Sequence, residues 1–264
     1  MKQNVRLALD LSYLGGGFCG WQRQARGRSV QGVLETALTR LYAQPVTAHG
    51  AGRTDAGVHA AGQVAHVDVP DRIPPGGLRS ALNSLLPDDL RVLAVRATGA
   101  GFHARVSAIG KRYRYRLAWG PPLPPWDALR RWSLPGRPDL SALEACLGCI
   151  RGTHDFAAFA LSGHSGHGRR GTMRTVARAD LGHRGRQADL VLEGDGFLRG
   201  MVRRLTGALW EVARGARDRA WIEGLLAGTI AAPPAPTAPA HGLTLERVFY
   251  PPAIIGSRAR LSRP

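Results

Sequence analysis

Residues 5–12 read VRLALDLS, and the strand that they predict begins the fold. The valine and leucines alternate with Arg, Ala, Asp and Ser, which is the period of a strand buried on one face. A helix is predicted next, because Ser29 can cap it and apolar residues recur at helical spacing from Val30 to Tyr42. Further apolar runs predict strands around residues 46–49 and 63–69, a helix over 78–85 and a strand at 92–95. The first half therefore has the order β-α-β-β-α-β.

The second half of the sequence repeats this order. Strands are predicted near residues 112–117, 176–181, 188–192 and 243–249, and helices over 140–150 and within 197–226. Two copies of the split β-α-β pattern indicate an α+β protein with two ferredoxin-like halves, whose mainly antiparallel sheets join around a central cleft. We expect the first half to span residues 1–105, the second 106–250, and a basic tail to follow at 251–264. Residues 163–171, which mix Gly, His and Arg, have no predicted role.

The charge balance indicates that the partner is a nucleic acid. The 264 residues include 36 Lys and Arg against 19 Asp and Glu, a net charge of +17 at pH 7, as is typical of proteins that bind phosphates. Three cysteines are too few for a disulfide framework, which indicates a reducing compartment. No stretch approaches the roughly 20 apolar residues of a membrane span, and no signal peptide is recognisable. We expect a cytoplasmic protein that makes no contact with a membrane.

The most informative segment is the loop at residues 50–60, GAGRTDAGVHA, between the two central strands of the first half. Its three glycines allow a tight turn and a close approach to a ligand. Arg53, Asp55 and His59 supply a cation, a carboxylate and an imidazole. Asp and Gly are also ordinary turn residues, so the composition of the loop alone leaves a binding site and a surface turn open.

Two other segments combine aromatic or apolar residues with arginines. In Lys111–Arg116 tyrosines and arginines alternate, which places Tyr113 on one sheet face and Arg112 on the other. Unstacked bases of RNA lie on tyrosine rings while arginines hold the backbone, although an aromatic core beside a solvated basic face gives the same pattern. In residues 196–207, Arg203 projects away from the apolar face of a helix and could offer its guanidinium to a carboxylate.

Two patterns resemble known binding motifs but fit them poorly. Residues 15–20 read GGGFCG and match the dinucleotide fingerprint G-x-G-x-x-G, yet the helix begins too late for its N-terminus to meet a pyrophosphate. Cys146 and Cys149 with His164 and His167 approximate zinc-finger spacing. The cysteines lie within an apolar helical pattern, however, and the histidine spacing is short, so we expect no metal.

The sequence GRTDAGVH at residues 52–59 resembles the signature of the tRNA pseudouridine synthase A family, and the similarity covers nearly the whole chain. Supporting similarities lie at residues 18–24, 81–87, 102–105, 113–115, 154–156, 201–203 and 238–243. The resemblance implies an isomerase that converts uridine to pseudouridine in tRNA, at positions 38, 39 and 40 of the anticodon stem-loop. It also implies a homodimer that holds tRNA with both subunits, a catalytic cleft between the halves, and no cofactor.

The resemblance also implies roles for individual residues. Asp55 would be the covalent nucleophile, attacking either the base or the ribose C1′, and Arg203 would pair with it and keep it ionised. Arg53 would fill the gap left by the flipped uridine, and Tyr113 would stack on the base. Either Tyr113 or water would relay the C5 proton. Further candidates for substrate binding are His59, Arg105 and Arg112.

Two other functional classes would also account for the charge. One is an RNA-binding module without catalysis, built on paired ferredoxin-like halves, and the other is a basic structural partner of a ribonucleoprotein. Neither requires the loop with Arg53 and Asp55, and the third strand lacks the aromatic-rich motif of such modules. An assay for pseudouridine in unmodified tRNA separates the three classes.

Overall fold

The computed structural model of the chain describes residues 4–163, 171–230 and 235–252. These residues form two compact units. Unit 1 lies within Met1–Gly110 and Leu245–Pro264, and unit 2 is Lys111–Thr244. The first segment of unit 1 ends at Gly110, and the division at residue 105 expected from the sequence stays a prediction. Most of the last strand also contributes to unit 1, where its Glu246 carbonyl comes so close to Gly62 that a Cβ there would be 2.3 Å away.

Five strands lie wholly or mostly in the described part of unit 1 and pair with one another. They are β1 (Asn4–Tyr13), β2 (His49–Gly50), β3 (His59–Pro70), β4 (Leu90–Thr98) and β10 (Leu243–Phe249), of which Leu245–Phe249 belong to this unit. The order is β4-β1-β3-β10, with β2 paired to β3. The pairs of β1 with β3 and β4, and of β2 with β3, are antiparallel. Leu7, Leu9 and Leu11 are buried, which confirms the first predicted strand.

The strand predicted at residues 46–49 is wrong by several residues, because only His49 and Gly50 pair with β3. The backbone just before His49 forms hydrogen bonds with side chains of the first helix instead. The Ala48 N–H donates to Glu35 Oε1 at 3.0 Å, and the Ala48 carbonyl accepts from Gln31 Nε2 at 3.1 Å. Both backbone groups of Ala48 are therefore satisfied without a neighbouring strand.

Two helices accompany this sheet, α1 (Val30–Tyr42) and α2 (Pro75–Leu85), and both confirm the predicted positions. The Ser29 side chain accepts the Gly32 N–H at 3.2 Å and so caps α1, as expected of an N-cap serine. The helices contact each other, and α2 also packs on β4. Leu34, Leu38, Leu78 and Leu82 are fully buried in the core of unit 1.

Within unit 2 the strands are hydrogen-bonded in the order β5-β9-β8-β7. These strands are β5 (Gly110–Ala118), β7 (Gly152–Asp155), β8 (Met173–Arg184) and β9 (Gln187–Gly194), and the short strand β6 (Trp132–Ser133) pairs with β5 in parallel. The other pairs are antiparallel. The sequence predicted β5, β8 and β9, whereas β6 and β7 are too short to show a periodic pattern.

The described part of unit 2 has four α-helices: α3 (Pro125–Ala128), α4 (Leu140–Ile150), α5 (Met201–Ala213) and α6 (Arg219–Ala227). Helix α4 contacts β8, α5 and α6. The helical region predicted within residues 197–226 is two helices. The break follows from Gly215, whose φ of +76° ends α5, and from Asp218, whose carboxylate caps α6 by accepting the Trp221 N–H at 2.9 Å.

The chain is thus a mixed α+β protein with mostly antiparallel pairing, which confirms the predicted class. Of the segments singled out in the sequence, residues 164–170 and the tail from residue 253 lie outside the described residues. Among the described helices, none is long and apolar enough to cross a membrane.

Candidate active site

The loop that carries Asp55 joins β2 to β3 in unit 1, and backbone hydrogen bonds fix it along its length. The Ala51 N–H donates to the Val64 carbonyl at 2.7 Å, and the Trp21 N–H donates to the Thr54 carbonyl at 3.0 Å. A tight turn follows, in which the Val58 N–H donates to the Asp55 carbonyl at 3.2 Å. The Asp55 side chain is half-buried in this turn. A nucleophile needs this combination of a fixed backbone and an accessible side chain.

Thr54, the residue before Asp55, anchors the loop to the sheet through its side chain. Its hydroxyl lies 2.9 Å from the Tyr13 hydroxyl, and both side chains are buried. Gln63 donates its amide to the Gly52 carbonyl at 2.8 Å and, more weakly, to the Tyr13 hydroxyl at 3.4 Å. Burial raises the pKa of Tyr13 to about 12, so this hydroxyl stays protonated. A neutral, buried hydrogen-bond network therefore fixes the backbone next to Asp55.

The glycines of residues 15–20 bring a second loop against the first. Gly20 has φ +107°, and a Cβ there would lie 2.7 Å from the Thr54 carbonyl. A Cβ on Gly15 would lie 2.2 Å from the Val58 carbonyl. Backbone this close to backbone leaves room for glycine alone. The pattern that resembles a dinucleotide fingerprint is therefore explained by the packing of one loop on another.

His59 and Arg53 occupy different environments in the same loop region. His59 is buried at the start of β3, where its Nδ1 accepts the Gly15 N–H at 3.0 Å. Arg53 is exposed. The histidine thus helps to join the two loops, while the guanidinium of Arg53 is accessible to a ligand. Contact of either residue with a substrate stays a prediction.

Arg105 lies on a separate loop of unit 1 that two imidazoles hold in place. His66 Nδ1 accepts the Ala104 N–H at 3.2 Å. His103 Nδ1 accepts the N–H groups of Arg105 and Val106 at 3.1 and 3.2 Å. The Arg105 side chain itself is exposed. The loop backbone is therefore ordered while the cation that it carries faces solvent.

His66 accepts its hydrogen bond only while its Nδ1 is unprotonated. Its ring is stacked on that of His49, with 4.8 Å between the centroids, and lies 4.6 Å from that of His103. Burial, assisted by these two imidazoles, lowers the pKa of His66 to about 4. The acceptor is consequently maintained at neutral pH.

The remaining predicted site residues belong to unit 2. Tyr113 on β5 is 8% exposed and meets the Phe197 ring edge-on, with centroids 5.2 Å apart. Arg112, its neighbour on the other face, pairs with Glu193 at 2.9 Å. Arg203 on α5 donates its Nε to the Ala238 carbonyl at 2.8 Å.

The structure therefore places the candidates in two groups. Arg53, Asp55 and His59 share one loop region of unit 1, and Arg105 lies on a separate loop of that unit. The other three lie in unit 2. Pairing of Asp55 with Arg203, one residue from each group, stays a prediction.

Sequence reasoning missed the residues that hold the loop, Tyr13, Thr54 and Gln63. Gln63 left a signal, since it is a polar residue at the start of the apolar run of β3 and is fully buried. A buried amide requires partners, and those of Gln63 lie on the loop that carries Asp55 and on β1. Tyr13 and Thr54, at 41 residues' separation, left no such signal.

Among the described residues, which include both cysteines of the zinc-finger-like pattern, no group of three suitable metal ligands occurs. Cys146 is buried in α4, and burial raises the pKa of its thiol to about 11. The Cys149 thiol donates to the Cys146 carbonyl at 2.9 Å. His164 and His167 lie outside the described residues.

The chain is similar to a family of RNA-modifying proteins. A family model described as tRNA pseudouridine synthase matches residues 11–105 and 150–251. A protein named tRNA pseudouridine synthase A 1 from Desulfotalea psychrophila is 40% identical over 254 residues, which cover 92% of this chain and 99% of the relative. Proteins named tRNA pseudouridine synthase A from Frankia casuarinae and Solidesulfovibrio magneticus are 43% and 44% identical. Those matches cover 98% and 93% of this chain, and 94% and 91% of the two relatives.

Proposed function

The chain belongs to the tRNA pseudouridine synthase family and converts uridine to pseudouridine in tRNA, and we propose that Asp55 is the covalent nucleophile of this isomerisation. The observation that supports this role is the anchoring of its loop. Asp55 follows a buried threonine whose carbonyl and hydroxyl are both hydrogen-bonded, yet Asp55 itself is only partly buried. The carboxylate is thereby held at a defined position without being closed off from a substrate.

The reaction breaks the bond from uracil N1 to ribose C1′, turns the base and forms a bond from C5 to C1′. The C5 proton leaves and N1 gains one, so atoms are neither added nor lost. An ionised carboxylate assists by attacking the base or C1′ and leaving again as the new bond forms. Each step uses protons and electron pairs of the substrate and of Asp55, and none requires a cofactor.

Arg203 and Tyr113 are the proposed partners of Asp55 from unit 2. A guanidinium beside the carboxylate would favour its ionised form. Tyr113 would stack on the flipped uracil and relay the C5 proton, and the edge-on contact with Phe197 at 5.2 Å supports a ring held in one orientation. Arg53, which is exposed on the catalytic loop, would fill the gap left in the RNA. Further contacts to the RNA are assigned to His59, Arg105 and Arg112.

We further infer that each half of the chain is ferredoxin-like, with limits near residues 1–105 and 106–250. In unit 1 the order β4-β1-β3 with β2 beside β3 supports this, because it is the strand order of a split β-α-β fold. In unit 2 the order β5-β9-β8 corresponds to the order β1-β3-β2 of unit 1.

The proposed substrate is the anticodon stem-loop of tRNA, modified at positions 38, 39 and 40 by a cytoplasmic homodimer. The net charge of +17 supports a polyanionic substrate of this size. The three cysteines are unpaired, which supports a reducing compartment.

The test compares wild type, Asp55→Asn and Asp71→Asn on an unmodified tRNA transcript. Asp71 is an exposed residue of unit 1, so its substitution changes the charge equally and serves as the control. Asp55→Asn is expected to bind tRNA with wild-type affinity and form no pseudouridine, because the amide keeps the shape and loses the nucleophile. Turnover above a few per cent of wild type would exclude the proposed role.

A further inference from the structure

One end of unit 2 contains a groove of about 1170 Å³ that the proposed reaction does not use. Its walls are the end of β5 at Trp119, residues 134–141 and the turn between β8 and β9. Backbone hydrogen bonds connect these walls. The Trp119 N–H donates to the Arg186 carbonyl at 3.1 Å, and the Leu134 N–H donates to the Ala118 carbonyl at 2.7 Å. The groove is therefore formed before any ligand binds.

Basic side chains line this groove. Arg137, His183 and Arg186 are exposed on its walls. The position of Arg186 is restricted, because its guanidinium lies so close to Gly120 that a Cβ there would be 2.8 Å from Nη1. Among the described residues that line the groove, Asp139 has the single carboxylate. That carboxylate accepts the Ala142 N–H at 3.0 Å and so caps the N-terminus of α4.

Most of the described arginines of unit 2 that have no partner lie at this end of the unit. Most arginines of the unit are paired, such as Arg112 with Glu193 and Arg151 with Asp180. Of the arginines of unit 2 that the structure describes, four have no ion pair, side-chain hydrogen bond or ring contact. They are Arg130, Arg137, Arg184 and Arg186. Three of these four lie in the groove or on the adjoining turn, where they are available to an external anion.

We propose that this groove binds a phosphodiester segment of the tRNA substrate, away from the reacting uridine. Guanidinium groups present paired N–H donors that match phosphate oxygens. The proposal rests on the proposed function, because it takes the position of Tyr113, which would stack on the flipped uracil, as the position of the reacting base. Trp119 follows Tyr113 by six residues along an extended segment, which corresponds to about 20 Å. The groove therefore contributes to tRNA affinity and not to the chemical step.

The test measures the binding of an unmodified tRNA transcript between 50 and 200 mM salt. The variant is Arg137→Gln with Arg186→Gln, and its matched control is Arg214→Gln with Arg219→Gln. The control removes the same charge from exposed arginines that pair with Glu211 and Glu223. Loss of two phosphate contacts is expected to reduce the slope of log affinity against log salt by about 1.5 and affinity roughly tenfold. The control is expected to keep the wild-type slope, because long-range charge alone is screened.

A second variant, with lysine at both positions 137 and 186, retains the charge and is expected to recover most of the slope. The single-turnover rate at saturating tRNA should stay within twofold of wild type in all three variants. Equal slopes for the groove variant and its control would overturn the proposal, as would a large loss of the saturating rate. These readouts are independent of the role of Asp55, since a failure of that role appears in the rate of Asp55→Asn and leaves the salt slope unchanged.

Discussion

The hydrogen bond between Tyr13 and Thr54 gives a quantitative test of how the loop that carries Asp55 is held. The test is a double-mutant cycle of Tyr13→Phe, Thr54→Val and the combined variant. Each substitution removes one hydroxyl and nearly preserves the shape of the side chain. Both residues are buried, at 3% and 7% exposure, so water cannot replace the lost partner.

The structure sets the expected magnitude. Thr54→Val leaves the Tyr13 hydroxyl with the Gln63 amide at 3.4 Å, and since that amide is a donor, the hydroxyl proton has no acceptor. A buried polar group left unpaired costs about 1–3 kcal/mol. Tyr13→Phe is expected to cost a similar amount through the Thr54 hydroxyl. In the combined variant neither group is left unpaired, so its cost should fall below the sum by about 1–2 kcal/mol.

The assay is urea unfolding of the four proteins at one protein concentration, together with single-turnover rates on unmodified tRNA. Thr54→Val is expected to slow the reaction because Asp55 loses its neighbouring anchor. Thr54→Ser keeps the hydroxyl and should remain near wild type in both measurements. Costs that add within about 0.3–0.5 kcal/mol would refute the reasoning, because additive residues are energetically independent.

Three further predictions concern Tyr113, His66 and the glycines of the loop at residues 15–20. Tyr113→Phe is expected to slow single turnover by roughly a hundredfold or more if the hydroxyl relays the C5 proton, and a rate within about threefold of wild type would exclude the relay. Because the pKa of His66 is lowered from 6.5 to about 4, the unfolded chain binds more protons between these values, so the free energy of unfolding should fall as pH drops from 6.5 to 4. His66→Asn should flatten that dependence in pH-dependent urea unfolding, and an unchanged dependence would assign it to other groups. Gly20→Ala, with a Cβ 2.7 Å from the Thr54 carbonyl, should lower both stability and rate, whereas Gly16→Ala, whose Cβ would meet nothing within 4 Å, should change neither.

Local signals in the sequence predicted much of the fold. The alternation in β1 and the Ser29 cap of α1 depend on neighbouring residues, and both are confirmed. The position of β2 failed because the backbone of Ala48 bonds to side chains of α1, including Glu35 at 3.0 Å. Such competition between a helix and a strand depends on their tertiary contact. Periodicity along the chain therefore cannot reveal it.

The candidate site shows the same limit more sharply. The motif at residues 52–59 identified the loop and its carboxylate, and the family comparison confirms the activity. The network that orders the loop could not be predicted, because its members lie on β1, the loop and β3 and meet only after folding. A tyrosine in a strand and a threonine in a turn are common residue types. Only their distance of 2.9 Å gives them a role beside Asp55.

Orientation and ionisation of Asp55 are assigned to different groups, and pH–rate profiles can separate them. The groups that hold its loop in unit 1, a hydroxyl, an amide and backbone N–H groups, are neutral, whereas the proposed electrostatic partner is Arg203. Thr54→Val should therefore lower the single-turnover rate by the same factor at every pH. Arg203→Gln should lower the rate by a factor that depends on pH, because a neutral side chain no longer favours the charged carboxylate. The loss relative to wild type should be largest at acidic pH, while Arg214→Gln, as a surface control, follows wild type. A profile of unchanged shape in Arg203→Gln would show that this guanidinium does not govern the ionisation of Asp55.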